Sequence, residues 1–205
     1  MPETFSNLSS LVIRYRGYLY LVPIFIAAIF GWLWVDIADD GLITHRYVNN
    51  MLSSGAPYYN TGDTVIGLSS PAYFLLLTGI SAIVPVELAY KAIAFAAYCF
   101  LGIASVQIIV SSKFRHRTTH DDWFKLIVFA LVFASNLHLL YWTFSGLETF
   151  FIPIFFVLVV MAIRSDQKAV LIGLMITSML FRPESLVALI PAAGLGLYLR
   201  TKTPE

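Results

Sequence analysis

Charged residues are scarce in this chain, and their scarcity excludes an ordinary soluble domain. Asp, Glu, Lys and Arg make up 12% of the 205 residues, against about 25% in soluble domains, and 59% of the residues are hydrophobic. The mean hydropathy is +0.79. A formal net charge of +1 provides no broad basic surface, so we predict no nucleic acid partner. The single cysteine, Cys99, excludes a disulfide within the chain. The composition predicts an all-α integral membrane protein.

Uncharged stretches predict a polytopic bundle of about six transmembrane helices, since a helix needs about 20 apolar residues to cross a bilayer. The predicted spans are Gly17–Val35, Ala92–Ser112, Leu126–Leu147, Thr149–Ile163, Ala169–Phe181 and Ser185–Leu199. The first stretch lacks a small-residue cleavage pattern, so we expect it to remain as a span. Residues 1–205 are thus predicted to form a single transmembrane module.

The stretch from Pro71 to Val86 is apolar but short for a crossing, and the basic residues decide its placement. Lys and Arg favour the cytoplasmic side of a membrane. If this stretch lies along the outer leaflet, ten of the thirteen Lys and Arg residues face the cytoplasm, and Arg46, Lys91 and Arg182 face outward. We therefore predict cytoplasmic termini, an external loop over residues 36–86 with juxtamembrane helices, and a cytoplasmic loop over residues 112–125.

Two adjacent carboxylates open the external loop. Asp39 is a plausible N-cap for a helix that runs to Ser54 and stops at Gly55. A pair such as Asp39 and Asp40 can supply a general base, bind a divalent cation such as Mg²⁺ or Mn²⁺, or simply mark an outward-facing segment. Residue types alone leave these three alternatives open.

Three ionisable residues fall near the outer ends of later spans. If the short stretches are extended to full spanning length, one helix begins near Phe144 and another ends near Val187, which places Glu148, Arg182 and Glu184 below the outer interface. Ionisable groups at that depth usually face a cavity or one another, and they indicate a functional site. The alternative is a Glu148–Arg182 pair that only fastens two helices, and the two interpretations are compatible.

The histidines outside the first loop have less specific patterns. His116 and His120 have a spacing that suits a metal site, but their basic surroundings favour a solvated cytoplasmic loop. His138, Tyr141 and Trp142 fall at the outer end of a predicted span, where interfacial aromatic residues are common. A sugar pocket is the alternative for these three residues.

Several motifs in one order resemble the GT-C superfamily of polyprenyl-phosphate-sugar-dependent membrane glycosyltransferases, nearest its terminal arabinofuranosyltransferase-like branch. In chain order they are Asp39-Asp40, Thr44-His45-Arg46-Tyr47 with Asn50, Tyr59-Asn60-Thr61-Gly62-Asp63, Val65-Ile66-Gly67-Leu68-Ser69-Ser70-Pro71, Ser145-Gly146-Leu147-Glu148-Thr149 and Arg182-Pro183-Glu184-Ser185. They spread over nearly the whole chain. Ile66 departs from the pattern, since many relatives carry an acidic residue at this position.

The resemblance implies a polyprenyl-phosphate sugar donor and a catalytic aspartate in the first loop. We expect Asp39 to act as the base with help from Asp40, and Asp39 is also the candidate ligand for a divalent cation; no other cofactor is expected. Arginine suits phosphate geometry, so Arg182 and Arg46 are expected to hold the donor phosphate. The predicted substrate-binding residues are Arg46, Tyr47, Asn60, Ser70, Glu148, Arg182 and Glu184.

The predicted function is transfer of a sugar from the polyprenyl-phosphate donor to a glycan, lipid or protein acceptor of the cell envelope. The predicted location is a bacterial inner membrane, with the active side facing outward. GT-C enzymes usually have about twice this length, so the chain resembles an N-terminal half that a second chain would complete. The alternatives are a truncated, non-catalytic subunit that binds lipid-linked sugar, and a small transporter or flippase.

The basic asymmetry predicts that cysteines placed at Ser112 and at Gly62 label from opposite sides of the membrane. Labelling with a membrane-impermeant maleimide, applied to intact and to opened vesicles, measures this. Labelling of both positions from outside would overturn the topology and remove Glu148 from the active side.

Overall fold

The computed structural model describes residues 19–62, 67–111 and 120–202, and this part of the chain is all-α. Its helices are α1 Leu21–Trp34, α2 Asp39–Ser54, α3 Pro71–Ser81, α4 Val86–Ser111, α5 His120–Ala134, α6 Leu137–Phe144, a 3₁₀ turn at Glu148–Phe150, α7 Phe151–Arg164, α8 Lys168–Phe181 and α9 Ser185–Lys202. Several residues named from the sequence lie outside the described residues or have undescribed side chains, among them Asp63, Ile66, Ser112, His116 and His120. Their predictions are therefore untested.

Helix α4 is the centre of the bundle. It packs against α1, α3, α5, α6 and α7, and small or aromatic side chains such as Ala89, Ala94 and Tyr98 are almost fully buried along it. Small residues let neighbouring helices approach closely, as is usual in membrane bundles. The second group of packed helices, α7, α8 and α9, has its own apolar core around Val159 and Leu189. Since α4 also packs against α7, it joins the two groups.

The prediction of six spans is not confirmed. In the described residues one helix, Val86–Ile109, is long and apolar enough to cross a membrane, and there are up to three crossings if each bent pair of helices counts as one. The bent pairs are α1 with α2, at 74°, and Phe124–Ala134 with α6, at 55°. Helix α8 has 14 residues, which gives about 21 Å, less than the roughly 30 Å of a hydrocarbon core.

The helix boundaries differ from those of the predicted long spans. The stretch over residues 126–147 is interrupted after Ala134, where the side chain of Asn136 caps α6 by accepting from the backbone N–H of Leu139. The helix expected to begin near Phe144 begins instead at the Glu148 turn. The helix expected to end near Val187 ends at Phe181. Glu148 and Arg182 consequently lie at helix breaks and not inside helices.

Both helices predicted in the first loop are present, although their N-terminal caps differ from the prediction. Helix α2 covers Asp39–Ser54 and ends at Gly55, whose φ of +75° is the left-handed conformation that glycine tolerates best. Its N-cap is Ala38, and Asp39 is already the first helical residue. Helix α3 begins at Pro71, but the hydroxyl of Ser70 does not cap it.

The break between α1 and α2 packs against the break after α6. The backbone N–H of Ala38 donates to the carbonyl of Ser145, at 2.8 Å. A Cβ atom at Gly41 would lie 2.8 Å from the Ser145 carbonyl oxygen, and one at Gly146 would lie 2.7 Å from the side chain of Ile37. Glycine at these two positions therefore allows the start of α2 to pack directly against the segment that leads to Glu148.

We predict that Gly146→Ala destabilises the fold by about 1–3 kcal/mol, because Gly146 has a φ of +80° and no room for a methyl group. Gly173→Ala is the matched control, since a Cβ atom there meets nothing within 4 Å. The thermal unfolding midpoint of each purified variant measures the effect. Equal midpoints for the two variants would show that the packing of Gly146 against Ile37 can accommodate a methyl group.

Candidate functional site

A polar cavity of about 220 Å³ lies where the first loop meets the helix breaks at Glu148 and at Arg182. The described residues that line it come from four separate segments: Asp40, Ile43 and Thr44 of α2, Gly67, Leu68, Ser69 and Ser70 before α3, Leu147 and Glu148, and Arg182 after α8. Pockets for drug-sized ligands run from about 300 to 1,000 Å³, so this cavity suits a smaller group. Four of the predicted site residues, Asp40, Ser70, Glu148 and Arg182, line it together.

The charged centre of this cavity is the ion pair between Glu148 and Arg182. Arg182 Nε lies 3.4 Å from Glu148 Oε1, and the side chains are 21% and 7% exposed, respectively. The Nε atom is buried and its alignment is not that of a hydrogen bond. On its outer side the guanidinium is paired again, with Nη1 2.7 Å from Glu184 Oε1. Arg182 therefore bridges a buried carboxylate and an exposed one.

Two serines before α3 contact Glu148 and the helix end next to Arg182. The hydroxyl of Ser69 donates to Glu148 Oε1, at 3.2 Å. The hydroxyl of Ser70 donates to the carbonyl of Phe181, the last residue of α8. That carbonyl has no partner within the helix because it belongs to the last turn. Ser70 therefore holds the helix end from which Arg182 extends, and this explains why it does not cap α3.

The two aspartates of α2 occupy different places. Asp40 lines the cavity, whereas Asp39 lies outside the set of described residues that form it. Both side chains are exposed and both are in the first turn of α2, where the positive end of the helix dipole favours carboxylates. The helix start thus stabilises both charges, and of the two only Asp40 lines the cavity together with Glu148 and Arg182.

Arg46 and Asn60 contact each other and not the cavity. Arg46 Nε donates to the carbonyl of Tyr59 at 2.8 Å, its Nη2 donates to Asn60 Oδ1 at 2.9 Å, and its guanidinium lies 4.5 Å from the centre of the Tyr59 ring. The side-chain amide of Asn50 also donates to the carbonyls of Tyr58 and Tyr59. These contacts hold the loop after α2 against α2 itself.

Tyrosines brace the wall of the cavity. The hydroxyl of Tyr47, on α2, accepts from the backbone N–H of Gly67 at 2.9 Å, at the start of the segment that carries the two serines. The hydroxyl of Tyr73, on α3, donates to the carbonyl of Gly146 at 3.2 Å. Burial raises the pKa of Tyr73, and the nearby Glu148 carboxylate raises it further, so this phenol stays protonated as a donor.

The described residues do not gather enough ligands for a metal ion. No three side chains of His, Cys, Asp or Glu lie together there in an arrangement that could hold one. Glu148, the carboxylate deepest in the cavity, is already paired with Arg182. The role of Asp39 as a ligand for Mg²⁺ or Mn²⁺ remains a prediction.

Two contributors were not selected from the sequence as site residues. Thr44 is buried beside Asp40, and the helical spacing of Asp40 and Thr44 was the signal that could have identified it. Ser69 contacts Glu148, which is 79 positions away in the chain, and no local pattern can show such a contact.

His45 is buried on α2, and the centre of its ring lies 4.9 Å from that of Tyr90. Burial lowers the pKa of His45, against the opposite effect of Glu87, so it packs as a neutral ring.

Comparison with known proteins relates part of this chain to a glycosyltransferase. Over 85 residues it is 40% identical to the terminal β-(1→2)-arabinofuranosyltransferase of Mycobacterium tuberculosis. The match covers 40% of this chain and 14% of that protein, so the chain spans a small part of the length of this relative. No family model matches the chain, and no solved structure matches it significantly.

The ion pair predicts unequal effects of its two single variants. Arg182→Ala removes the positive partner of the buried Glu148, which keeps the hydrogen bond from Ser69, and we expect a loss of about 1–3 kcal/mol in stability. Glu148→Gln should cost less, because Arg182 keeps Glu184 and the glutamine oxygen can still accept from Ser69. The double variant should recover part of the stability lost in Arg182→Ala.

Thermal unfolding of the four proteins in one detergent measures this cycle. A Glu184→Gln variant is the matched control, since the exposed pair it removes contributes little. If the single variants of the buried pair unfold like the wild type, Glu148 is solvated and the pair does not hold the breaks together.

Proposed function

We propose that this protein is a membrane glycosyltransferase that moves a sugar from a polyprenyl phosphate to an acceptor hydroxyl. One observation carries the proposal: Asp40, Glu148 and Arg182 come from distant parts of the chain and line one cavity. The partial identity to an arabinofuranosyltransferase supports the same chemistry. The cavity size suits one sugar unit, with the lipid chain left outside it.

Asp40 is the proposed base, in place of the Asp39 favoured by the sequence. The acceptor oxygen attacks the anomeric carbon of the donor sugar and forms a new C–O bond. Its proton passes to the Asp40 carboxylate. The bond between the anomeric carbon and the phosphate oxygen breaks, and the polyprenyl phosphate leaves with the electron pair. A positioned carboxylate contributes typically about 10²–10⁴-fold to such a step. Of the two adjacent aspartates, only Asp40 is among the described residues that line the cavity.

Arg182 is the proposed partner of the donor phosphate. Its guanidinium is paired with the buried Glu148 on one side. On the other side it is paired with the exposed Glu184, which another anion can replace. A phosphate that replaced Glu184 would bind an arginine that Glu148 already orients. As the anomeric C–O bond breaks, negative charge grows on the leaving phosphate, and the arginine stabilises that charge. Glu148 also remains able to accept from a sugar hydroxyl.

The remaining predicted residues receive positioning roles in this proposal. Arg46, Asn60 and Tyr47 hold the first loop and the Gly67 segment, so they shape the cavity without touching substrate. An outward-facing active side remains part of the proposal, on the basis of the basic asymmetry in the sequence. A bacterial inner membrane remains part of it as well, on the basis of the partial identity to a mycobacterial glycosyltransferase. The acceptor class, glycan, lipid or protein, belongs to it as well.

An assay with purified protein and a radiolabelled polyprenyl-phosphate sugar separates this proposal from its rivals. Transfer of label to an added acceptor supports the enzyme. Binding without transfer supports a non-catalytic subunit, which a second chain would have to complete. Movement of the labelled lipid across a liposome without transfer supports a flippase. The last two outcomes contradict catalysis by this chain alone.

The proposal predicts that Asp40→Asn lowers turnover by about 10²–10⁴-fold while donor binding persists, because asparagine has nearly the same shape but cannot accept a proton. Asp39→Asn is the matched control on the next residue and should retain most of the activity. Initial rates and donor binding measured for both variants test this. The reverse result would return the base to Asp39, and normal rates in both would refute the role of this cavity.

A further inference from the structure

A second cavity, of about 270 Å³, lies on the other side of the Glu148–Phe150 turn. The residues that line it include Asn136, His138, Leu139, Trp142, Thr149 and Phe150. Glu148 lines the first cavity and Thr149, the next residue, lines the second. Consecutive Cα atoms are about 3.8 Å apart, so one short turn forms a wall common to the two cavities.

Hydrogen bonds at the second cavity fix which atoms remain to bind a ligand. The indole Nε1 of Trp142 donates to His138 Nδ1, at 3.3 Å. An indole nitrogen can only donate, so Nδ1 carries no proton, and in the neutral ring Nε2 carries it. Asn136 Oδ1 accepts from the backbone N–H of Leu139 at 3.0 Å, which leaves the Nδ2 group as a donor. His138 and Asn136 thus present N–H donors.

The rest of the lining limits the chemistry of the ligand. No Lys, Arg, Asp or Glu is among the described lining residues, so a phosphate or a carboxylate would find no countercharge. Leu139, Trp142 and Phe150 supply apolar surface, and the Trp142 side chain is 37% exposed. Apolar surface with a few placed polar groups is typical of a small-molecule site. A neutral ring with an apolar face and several oxygen atoms meets these conditions.

We propose that the second cavity binds one neutral sugar residue, with its C–H face on the Trp142 ring and its hydroxyl oxygens accepting from His138 Nε2 and Asn136 Nδ2. Its use rests on the proposed function: a sugar bound there belongs to a glycan acceptor, and the neighbouring unit of that glycan reaches past the Glu148–Phe150 turn toward Asp40. This selects a glycan among the acceptor classes.

Sugar binding can be measured without any transfer activity. The protein is purified in a detergent with no sugar head group, and its tryptophan fluorescence is followed during titration with methyl pentosides and methyl hexosides. Cyclohexanol serves as an apolar ring of similar size, and inorganic phosphate serves as an anion. We expect saturable quenching by at least one glycoside and none by cyclohexanol or phosphate.

Variants assign the signal to this cavity. Trp142→Phe should remove most of the quenching, and Trp34→Phe is the matched control, because Trp34 lies on α1 and is 72% exposed. His138→Phe keeps a ring but loses the donor, so the dissociation constant for the glycoside, read from the retained Trp142, should rise about fivefold. Equal quenching by cyclohexanol, preference for phosphate, or unchanged binding in both cavity variants would overturn the proposal.

The same titration on Asp40→Asn separates this inference from the proposed function. Asp40 lines the other cavity, so glycoside binding should be unchanged in this variant. Normal glycoside binding with no transfer by the wild type would contradict the proposed enzyme and leave the sugar site standing. Transfer by the wild type with no glycoside binding would contradict the sugar site alone.

Discussion

Much of the structure around the site depends on the ion pair between Glu148 and Arg182. A charge removed from water is costly unless it is paired and hydrogen-bonded, so two largely buried charged side chains restrict how their segments can pack. Glu148 meets this condition with Arg182 and Ser69, and Arg182 meets it with Glu148 and Glu184. The packing of α3 against α8, and of the Glu148 turn against α6 and α7, brings these groups within reach.

The backbone groups at the helix breaks beside this pair are satisfied by side chains around the start of α3. A helix end leaves backbone carbonyl or N–H groups without partners, and in an apolar bundle such groups are tolerated only where other groups satisfy them. The carbonyl of Phe181 receives the Ser70 hydroxyl, and that of Gly146 receives the Tyr73 hydroxyl. Both donors belong to the segment around the start of α3. The first loop is therefore part of the bundle, and the cavity lies between its helices and the two breaks.

The sequence predicted the local features of this protein well and its long-range geometry less well. The end of α2 follows from Gly55 and the start of α3 from Pro71, which are local signals, whereas α3 ends at Ser81, before the predicted Val86. The pairing of Glu148 with Arg182 follows from their rarity among apolar residues. The breaks after Ala134 and Phe144 were missed, because the span prediction counted only charged residues, although the cap residue Asn136 and the turn residue Gly146 are local signals at these two places. The choice of Asp40 over Asp39 as the cavity residue depends on the rotation of α2 against Ser145. The contacts of Arg46 with Tyr59 and Asn60 depend on how a loop folds back.

The central claim is that the cavity lined by Asp40, Ser69, Glu148 and Arg182 receives the sugar phosphate of a lipid-linked donor. A polyprenyl-phosphate sugar with a photoreactive group on the sugar, followed by mass spectrometry of the labelled peptides, tests this claim directly. The account predicts labels within residues 40–44, 67–70 or 147–148 that excess unlabelled donor removes. Labels confined to the exposed apolar faces of α1 or α8, unaffected by unlabelled donor, would contradict it.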